Sequence, residues 1–210
     1  MTRESRIRQA RRSMSVLFLS YLCAVMTGCA DQAVTQSEAC SGYPEPQASP
    51  YVLPYTQGDT HPVIQENCAP QRAPWTHFGA MRYAYDFGMP IGTPLVASRS
   101  GTVIFVRDQF TDEQHRQEQG NAIVVLHEDG SSALYGHITH RGSKVKPGDR
   151  VEQGEVLALS GNSGESPTPH LHFQVNACAD FSKCPSIPVS FRNEASSSTS
   201  LKKGQSYTAQ

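Results

Sequence analysis

Two histidines one residue apart, His170 and His172, have the types and spacing to do chemistry. They open the strand-like run His170-Leu-His-Phe173, and side chains along a strand point alternately to its two faces. Both imidazoles therefore share one face, about 6–7 Å apart, while Leu171 and Phe173 face the other way and suit a core. Such a pair can share one metal ion, or one ring can bind metal while its neighbour moves protons. Three further residues stand near strand ends. Tyr135-Gly-His137 closes another strand, and His77 and Asp86, in THFGAMRYAYDF, precede the first glycine-turned strand. Imidazoles with a carboxylate suit a catalytic zinc site, which has three protein ligands and an open position where bound water approaches a pKa of about 7. A neighbouring imidazole, ordinarily near pKa 6.5, can take and return the proton.

The elements that must position these side chains are short. Leu95–Ala97, Thr102–Val106, Ala122–Leu126, Ala133–Tyr135, Val156–Leu159 and Leu171–Val175 are β-branched or alternating, and glycines at 92, 101, 120, 130, 142, 148, 154 and 161 punctuate them. This pattern predicts an all-β fold, a small barrel or sandwich. A faint echo relates Gly92-Thr-Pro-Leu-Val-Ala…Gly101-Thr-Val to Pro147-Gly-Asp-Arg-Val…Gly154-Glu-Val, as duplicated hairpin units would. Asp108–Gly120, charged and without an apolar face, is expected to be a solvated loop. Ser196–Ser200 is expected to be another loop, with an exposed tail after it. His61, His115 and His140 are expected to face solvent, and His127 to serve a turn or to support the site. Lys144 and Lys146 raise the idea of a lipoyl- or biotin-carrier hairpin, but no Met-Lys-Met-like turn accompanies them.

The chain has 210 residues, 38% of them hydrophobic, enough for one ordinary core. Its 18 basic and 19 acidic residues argue against a nucleic-acid-coating protein, which needs a basic excess. No apolar run reaches the roughly 18 residues of a membrane-spanning helix. Charge is unevenly placed. Residues 1–28 carry five arginines against one glutamate, then an apolar run from Val16 to Met26 and the junction Thr27-Gly-Cys29. This reads as an export signal whose lipobox-like end would place a lipid on Cys29 and anchor the protein to a membrane. Cleavage there leaves 13 basic and 18 acidic residues, a net charge of −5. Ala30, rather than Asp, after the lipid cysteine favours the outer membrane, with the domain in the periplasm. The expected order is signal 1–28, polar proline-bearing tether 29–50, folded domain 51–192, and a Ser-rich loop and tail 193–210, as a monomer. Cys40, Cys68, Cys178 and Cys184 allow three pairings in an oxidising compartment. Cys178–Cys184, closed locally, and Cys40–Cys68, stapling the N-terminal segment, are favoured.

Several stretches in one order carry a resemblance: Tyr83-Ala-Tyr-Asp-Phe…Pro90-Ile-Gly-Thr-Pro, Tyr135-Gly-His, Gly148-Asp-Arg-Val…Gly154, Gly161-Asn-Ser-Gly and Pro169-His-Leu-His-Phe. From about Tyr51 to Ala209 the chain resembles the LytM/lysostaphin-type zinc endopeptidases, peptidase family M23. The resemblance implies a β-rich fold with a long open active-site groove, one zinc ion, and cleavage of peptide bonds in peptidoglycan stems or cross-links. Carried over by position, it makes His77, Asp86 and His172 the zinc ligands. His137 and His170 become the catalytic pair, one working on the attacking water and the other stabilising the oxyanion, with Tyr135 lining the groove. Departures are the eight residues between His77 and Asp86 where three are common, Thr168 where glycine is usual, and Ser163 where threonine is usual. The long gap is read as a longer loop. It is also the one feature favouring an alternative, a non-catalytic peptidoglycan-binding or hydrolase-activating module of the same fold.

Overall fold

In a computed structural model, residues 40–65, 67–68 and 77–210 are described. The expected export signal, Cys29 and the first part of the expected tether lie outside them. Among the described residues there are ten strands, three single-turn 3-10 helices and no α-helix. In chain order the strands are β1 (Thr60–Gln65), β2 (Tyr85–Gly88), β3 (Pro94–Val96), β4 (Gly101–Arg107), β5 (Ala122–Leu126), β6 (Ser132–Gly136), β7 (Arg150–Val151), β8 (Val156–Leu159), β9 (His170–Asn176) and β10 (Ser206–Thr208). Eight form one sheet in the order β10-β1-β2-β9-β6-β5-β4-β7, and β3 pairs β8 in a second sheet; every pairing is antiparallel. The large sheet ends at β10 and β7 without closing on itself. Of the two expected all-β architectures, the sandwich is the one formed.

The echoed hairpin units meet each other. β3 and β4 come from the first unit and β7 and β8 from the second, and the pairs are β3·β8 and β4·β7. Each unit therefore supplies strands to both sheets, and the apolar residues Leu95, Val103, Val151 and Leu157 are buried between them. The core continues along β9. Leu171, Phe173 and Val175 are buried on one face, where Leu171 stands opposite Phe87 and Phe173 opposite Tyr85 and Tyr135. The Tyr135 and Phe173 rings meet edge-on at 5.3 Å. Burying side chains of this size contributes roughly 1.5–3 kcal/mol each, which commits the even-numbered residues of β9 to the opposite face.

Both ends of the chain differ from expectation. Residues 40–50 are packed on the domain: Pro46 and Ser49 are buried, and the Ser49 hydroxyl donates to the Ser190 carbonyl. The expected tail forms β10 against β1, burying Tyr207 and Ala209, and Leu201 is buried ahead of it. Its three-residue strand is too short to show alternation in the sequence. The same edge explains His61, expected in solvent. It lies in β1, buried, with its ring 4.7 Å from that of Tyr55. The disulfides are Cys40–Cys68 and Cys178–Cys184, the favoured pairs.

Candidate metal centre

Three donor atoms converge because of strand register. Asp86 on β2 stands directly opposite His172 on β9, a position where side chains on one face approach within bonding reach. His172 Nδ1 lies 2.9 Å from Asp86 Oδ1. His77 arrives from the other side, with Nε2 3.2 Å from the same oxygen. The residues between His77 and Asp86 coil into a 3-10 turn, Gly79–Met81, fastened by the Ser186 N–H on the Ala80 carbonyl and the Tyr83 N–H on the Ser186 hydroxyl. The long gap is thus a folded turn that returns His77 over the sheet. His77, Asp86 and His172 each offer one ligand atom, all within 4.8 Å of one another. Gly136, opposite His172 on β6, leaves the room: a Cβ there would sit 3.2 Å from the His172 Cβ.

His137 and His170 stand beside this trio, their ring centroids 4.4 Å apart. Each has its Nδ1–H on a backbone carbonyl, His137 on Ser163 at 2.7 Å and His170 on Thr168 at 2.7 Å. In both rings Nε2 is therefore the bare nitrogen, a proton acceptor. His137 has φ 60°, a left-handed conformation that turns the chain out of β6; Tyr135, expected to line the groove, stands opposite Phe173 on the other face of β6 and points to the core, fully buried, where its hydroxyl accepts the Ser98 N–H. The Gly161-Asn-Ser-Gly164 loop holds the carbonyl that His137 needs. The Asn121 N–H donates to the Ser163 hydroxyl, which donates to the Ile138 carbonyl, and the Asn162 N–H donates to Asp112. Gly164, at φ 80°, lies so close to Gly120 that a Cβ would come within 2.5 Å of the Gly120 Cα. Asp108–Gly120, expected to be only a solvated loop, is half-buried in part and braces the site through Asp112, which also accepts from the Thr139 hydroxyl at 2.5 Å.

The electrostatics follow from burial. His77 and Asp86 are buried, and the His172 side chain is 12% exposed. Burial works to raise the Asp86 carboxyl, but the hydrogen bonds of His172 and His77 outweigh it and hold the group well below the usual carboxylate range. Burial works to lower His172, and its contact with Asp86 reverses this, leaving it raised. His137 is pushed down to about 3 by burial and then by His170 and His172, and His170 is also lowered, chiefly by burial. At neutral pH the adjacent pair is uncharged.

The donor set fits a zinc ion. Two imidazole nitrogens and one carboxylate oxygen match the ligands of catalytic zinc sites, and bonds of about 2.0–2.1 Å in a tetrahedron place such atoms roughly 3.3 Å apart. The 2.9 and 3.2 Å separations around Asp86 are close to that. Every site residue expected from the sequence, His77, Asp86, His137, His170 and His172, is brought together here. A cavity of about 390 Å³ adjoins the Gly88–His170 end of the strand pair, lined by Ile64, Gly88, Met89, Pro90, Thr168 and Pro169. Two residues the sequence reading left out lie further along the same strand face. Gln174 and Asn176 continue the alternation of His170 and His172, and His172 Nε2 is 3.0 Å from Gln174 Oε1. That unbroken period-two run of polar residues was the signal available.

The chain is similar to known proteins over its folded part. The family description "Peptidase family M23" matches residues 80–183, a stretch holding Asp86, His137, His170 and His172 and beginning just after His77. The chain is 34% identical over 113 residues to the peptidoglycan DD-endopeptidase ShyA of Vibrio cholerae, covering 53% of this chain and 24% of that protein. It is 37% identical over 97 residues to lysostaphin of Staphylococcus simulans, covering 46% of this chain and 18% of that protein. The match thus spans about a quarter or less of these relatives' own length. A chain of the SpoIIQ–SpoIIIAH pore-forming complex superposes with a TM-score of 0.50 at 19% identity, over 66% of this chain and 87% of that one, a likeness of fold.

Proposed function

We propose, for a chain that carries a peptidase family M23 domain of the lysostaphin/LytM type, that it is a zinc-dependent endopeptidase hydrolysing peptide bonds in peptidoglycan stems or cross-links. The observation that carries this reading is the convergence of His77, Asp86 and His172, with their ligand atoms inside 4.8 Å. Peptidases of this family are zinc metallopeptidases, and a zinc ion held by these residues supplies Lewis acidity that polarises a carbonyl and makes water nucleophilic near neutral pH. The remaining chemistry belongs to the chain. His137 and His170 present bare Nε2 atoms, kept neutral by burial, so either is set to take a proton from the attacking water. The imidazolium so formed is a donor, able to steady the oxyanion or to protonate the departing amine. We further propose that the protein is exported and held at the cell envelope by a lipid on Cys29, facing the wall as a monomer. No nucleic-acid role is proposed.

The test is muropeptide release from purified sacculi by the wild type and by His172→Ala, with and without chelator. Release that is lost in the variant and on chelation is expected. Equal release by both proteins contradicts the metal mechanism. Tight binding to sacculi with no release and no zinc is the outcome that would establish the non-catalytic binding or activating module instead.

A further inference from the structure

We infer that Gln174 and Asn176 are positioning residues that fix which nitrogen of His172 faces the metal centre, through a hydrogen-bond chain whose direction is set by the backbone carbonyl of Cys184. The inference rests on the metallopeptidase reading for its consequence and on hydrogen-bond geometry alone for its logic. On β9, His172, Gln174 and Asn176 project from one face, and Gln174 and Asn176 are 4% and 0% exposed. Buried amides must satisfy their donors and acceptors inside the protein. The Asn176 side chain contacts the Cys184 carbonyl at 3.0 Å. A backbone carbonyl can only accept, so the amide NH2 of Asn176 must lie there. Its oxygen then faces Gln174, 3.0 Å away, and the Gln174 group meeting it must be the NH2. The Gln174 oxygen is left facing His172 Nε2 at 3.0 Å, and that nitrogen must carry the proton. That leaves Nδ1 to face Asp86, 2.9 Å away, and the space shared with His77, as a donor to the carboxylate or, with its proton displaced, as the nitrogen that meets an ion held there. Each step is forced by the one before it, starting from a carbonyl whose role cannot reverse.

The anchor is itself held. Cys184 is bonded to Cys178, six residues earlier, and the Ser132 hydroxyl donates to the Cys178 carbonyl. The Ala177 N–H donates to the Pro185 carbonyl and the Ile187 N–H to that of Val175, closing the loop back on β9. The disulfide loop thus lies at the far end of the chain of contacts that orients His172.

The test uses the 15N-labelled protein, its Gln174→Leu and Gln174→Glu variants, zinc affinity by chelator competition, and imidazole nitrogen spectra of the zinc-loaded and metal-free samples. In the wild type the His172 spectrum should show the proton on Nε2. Gln174→Leu should lose this preference and bind zinc about 10–100-fold more weakly. Gln174→Glu keeps an acceptor for Nε2–H and should retain the tautomer and zinc affinity within a few-fold. It should also melt lower than the wild type, because its carboxylate now faces the Asn176 oxygen. A wild-type His172 with no proton on Nε2 overturns the inference. So does a folded Gln174→Leu that binds zinc within twofold of the wild type, or a Gln174→Glu as weak as the leucine variant. If Gln174→Leu does not fold, the wild-type spectrum and the glutamate variant still decide. A wild type that binds no zinc would refute the metallopeptidase reading, while its His172 spectrum would still decide this one.

Discussion

At the scale of single residues, the histidines of the centre divide by where their nitrogen protons go. His137 and His170 give Nδ1–H to the carbonyls of Ser163 and Thr168 and so keep Nε2 bare. They touch no ligand atom of the trio closely; the nearest approach recorded is His170 Nε2 at 3.6 Å from Asp86 Oδ2, beyond hydrogen-bond length. Replacing either ring by alanine should leave zinc bound while cutting turnover about 10²–10⁴-fold, the usual worth of a positioned acid or base. Zinc content and kcat measured on one preparation check this, and loss of zinc from His137→Ala or His170→Ala would count against the division. Residue types and the period-two spacing made both histidines and their partners legible in the sequence. Which nitrogen each ring uses was not, because the deciding partners are carbonyls of Ser163, Thr168 and, through two amides, Cys184. Backbone acceptors look alike at every position of a sequence.

At the scale of elements, glycines set how closely loops approach the site. Gly164 and Gly148 both have a positive φ, 80° and 95°, but a Cβ on Gly148 would meet nothing within 4 Å whereas one on Gly164 would run into the Gly120 backbone. Gly148→Ala should therefore cost only the conformational penalty, about 1–2 kcal/mol, with kcat unchanged. Gly164→Ala should cost more and also lower kcat, because the loop that moves carries the Ser163 carbonyl under His137. Thermal melts and kcat for the two variants make the comparison, and identical losses would contradict the account. The strands themselves were legible from alternation and glycine punctuation, as was the sandwich as one of two options. β10 was not, since Ser206–Thr208 shows one buried residue, Tyr207, between two less buried ones. Nor was the bracing by Asp108–Gly120: a run without an apolar face can still be held by polar contacts such as those of Asp112.

Across the whole molecule, two buried histidines away from the centre tie folding to pH. His61 and His127 are both lowered, chiefly by burial, and each has an Nε2 with no hydrogen-bond partner among the described residues. Unfolded histidine takes a proton below about pH 6.5, and these rings resist it when folded. Stability should therefore be unaffected by them above that pH and should fall as pH drops below it, by up to about 1.4 kcal/mol per pH unit for each ring. Denaturant unfolding of the metal-free protein between pH 7 and about 5 reads the slope. The double variant His61→Phe, His127→Phe should make it shallower, with the lowered His137 and His170 supplying the remainder, and an unchanged slope would show that these two rings contribute nothing. The Cys40–Cys68 bridge, across 28 positions of sequence, adds roughly 2–4 kcal/mol on the usual scale. Melting in reductant should accordingly come at lower temperature.

All of this turns on whether His77, Asp86 and His172 act together on one ion. The direct measurement is zinc stoichiometry, by elemental analysis after dialysis against zinc-free buffer, for the wild type and for His77→Ala, Asp86→Ala and His172→Ala. One zinc per wild-type chain, with substoichiometric zinc in each of the three folded variants, is the predicted result. A full equivalent of zinc retained by any one of them, His77→Ala above all, would contradict the account.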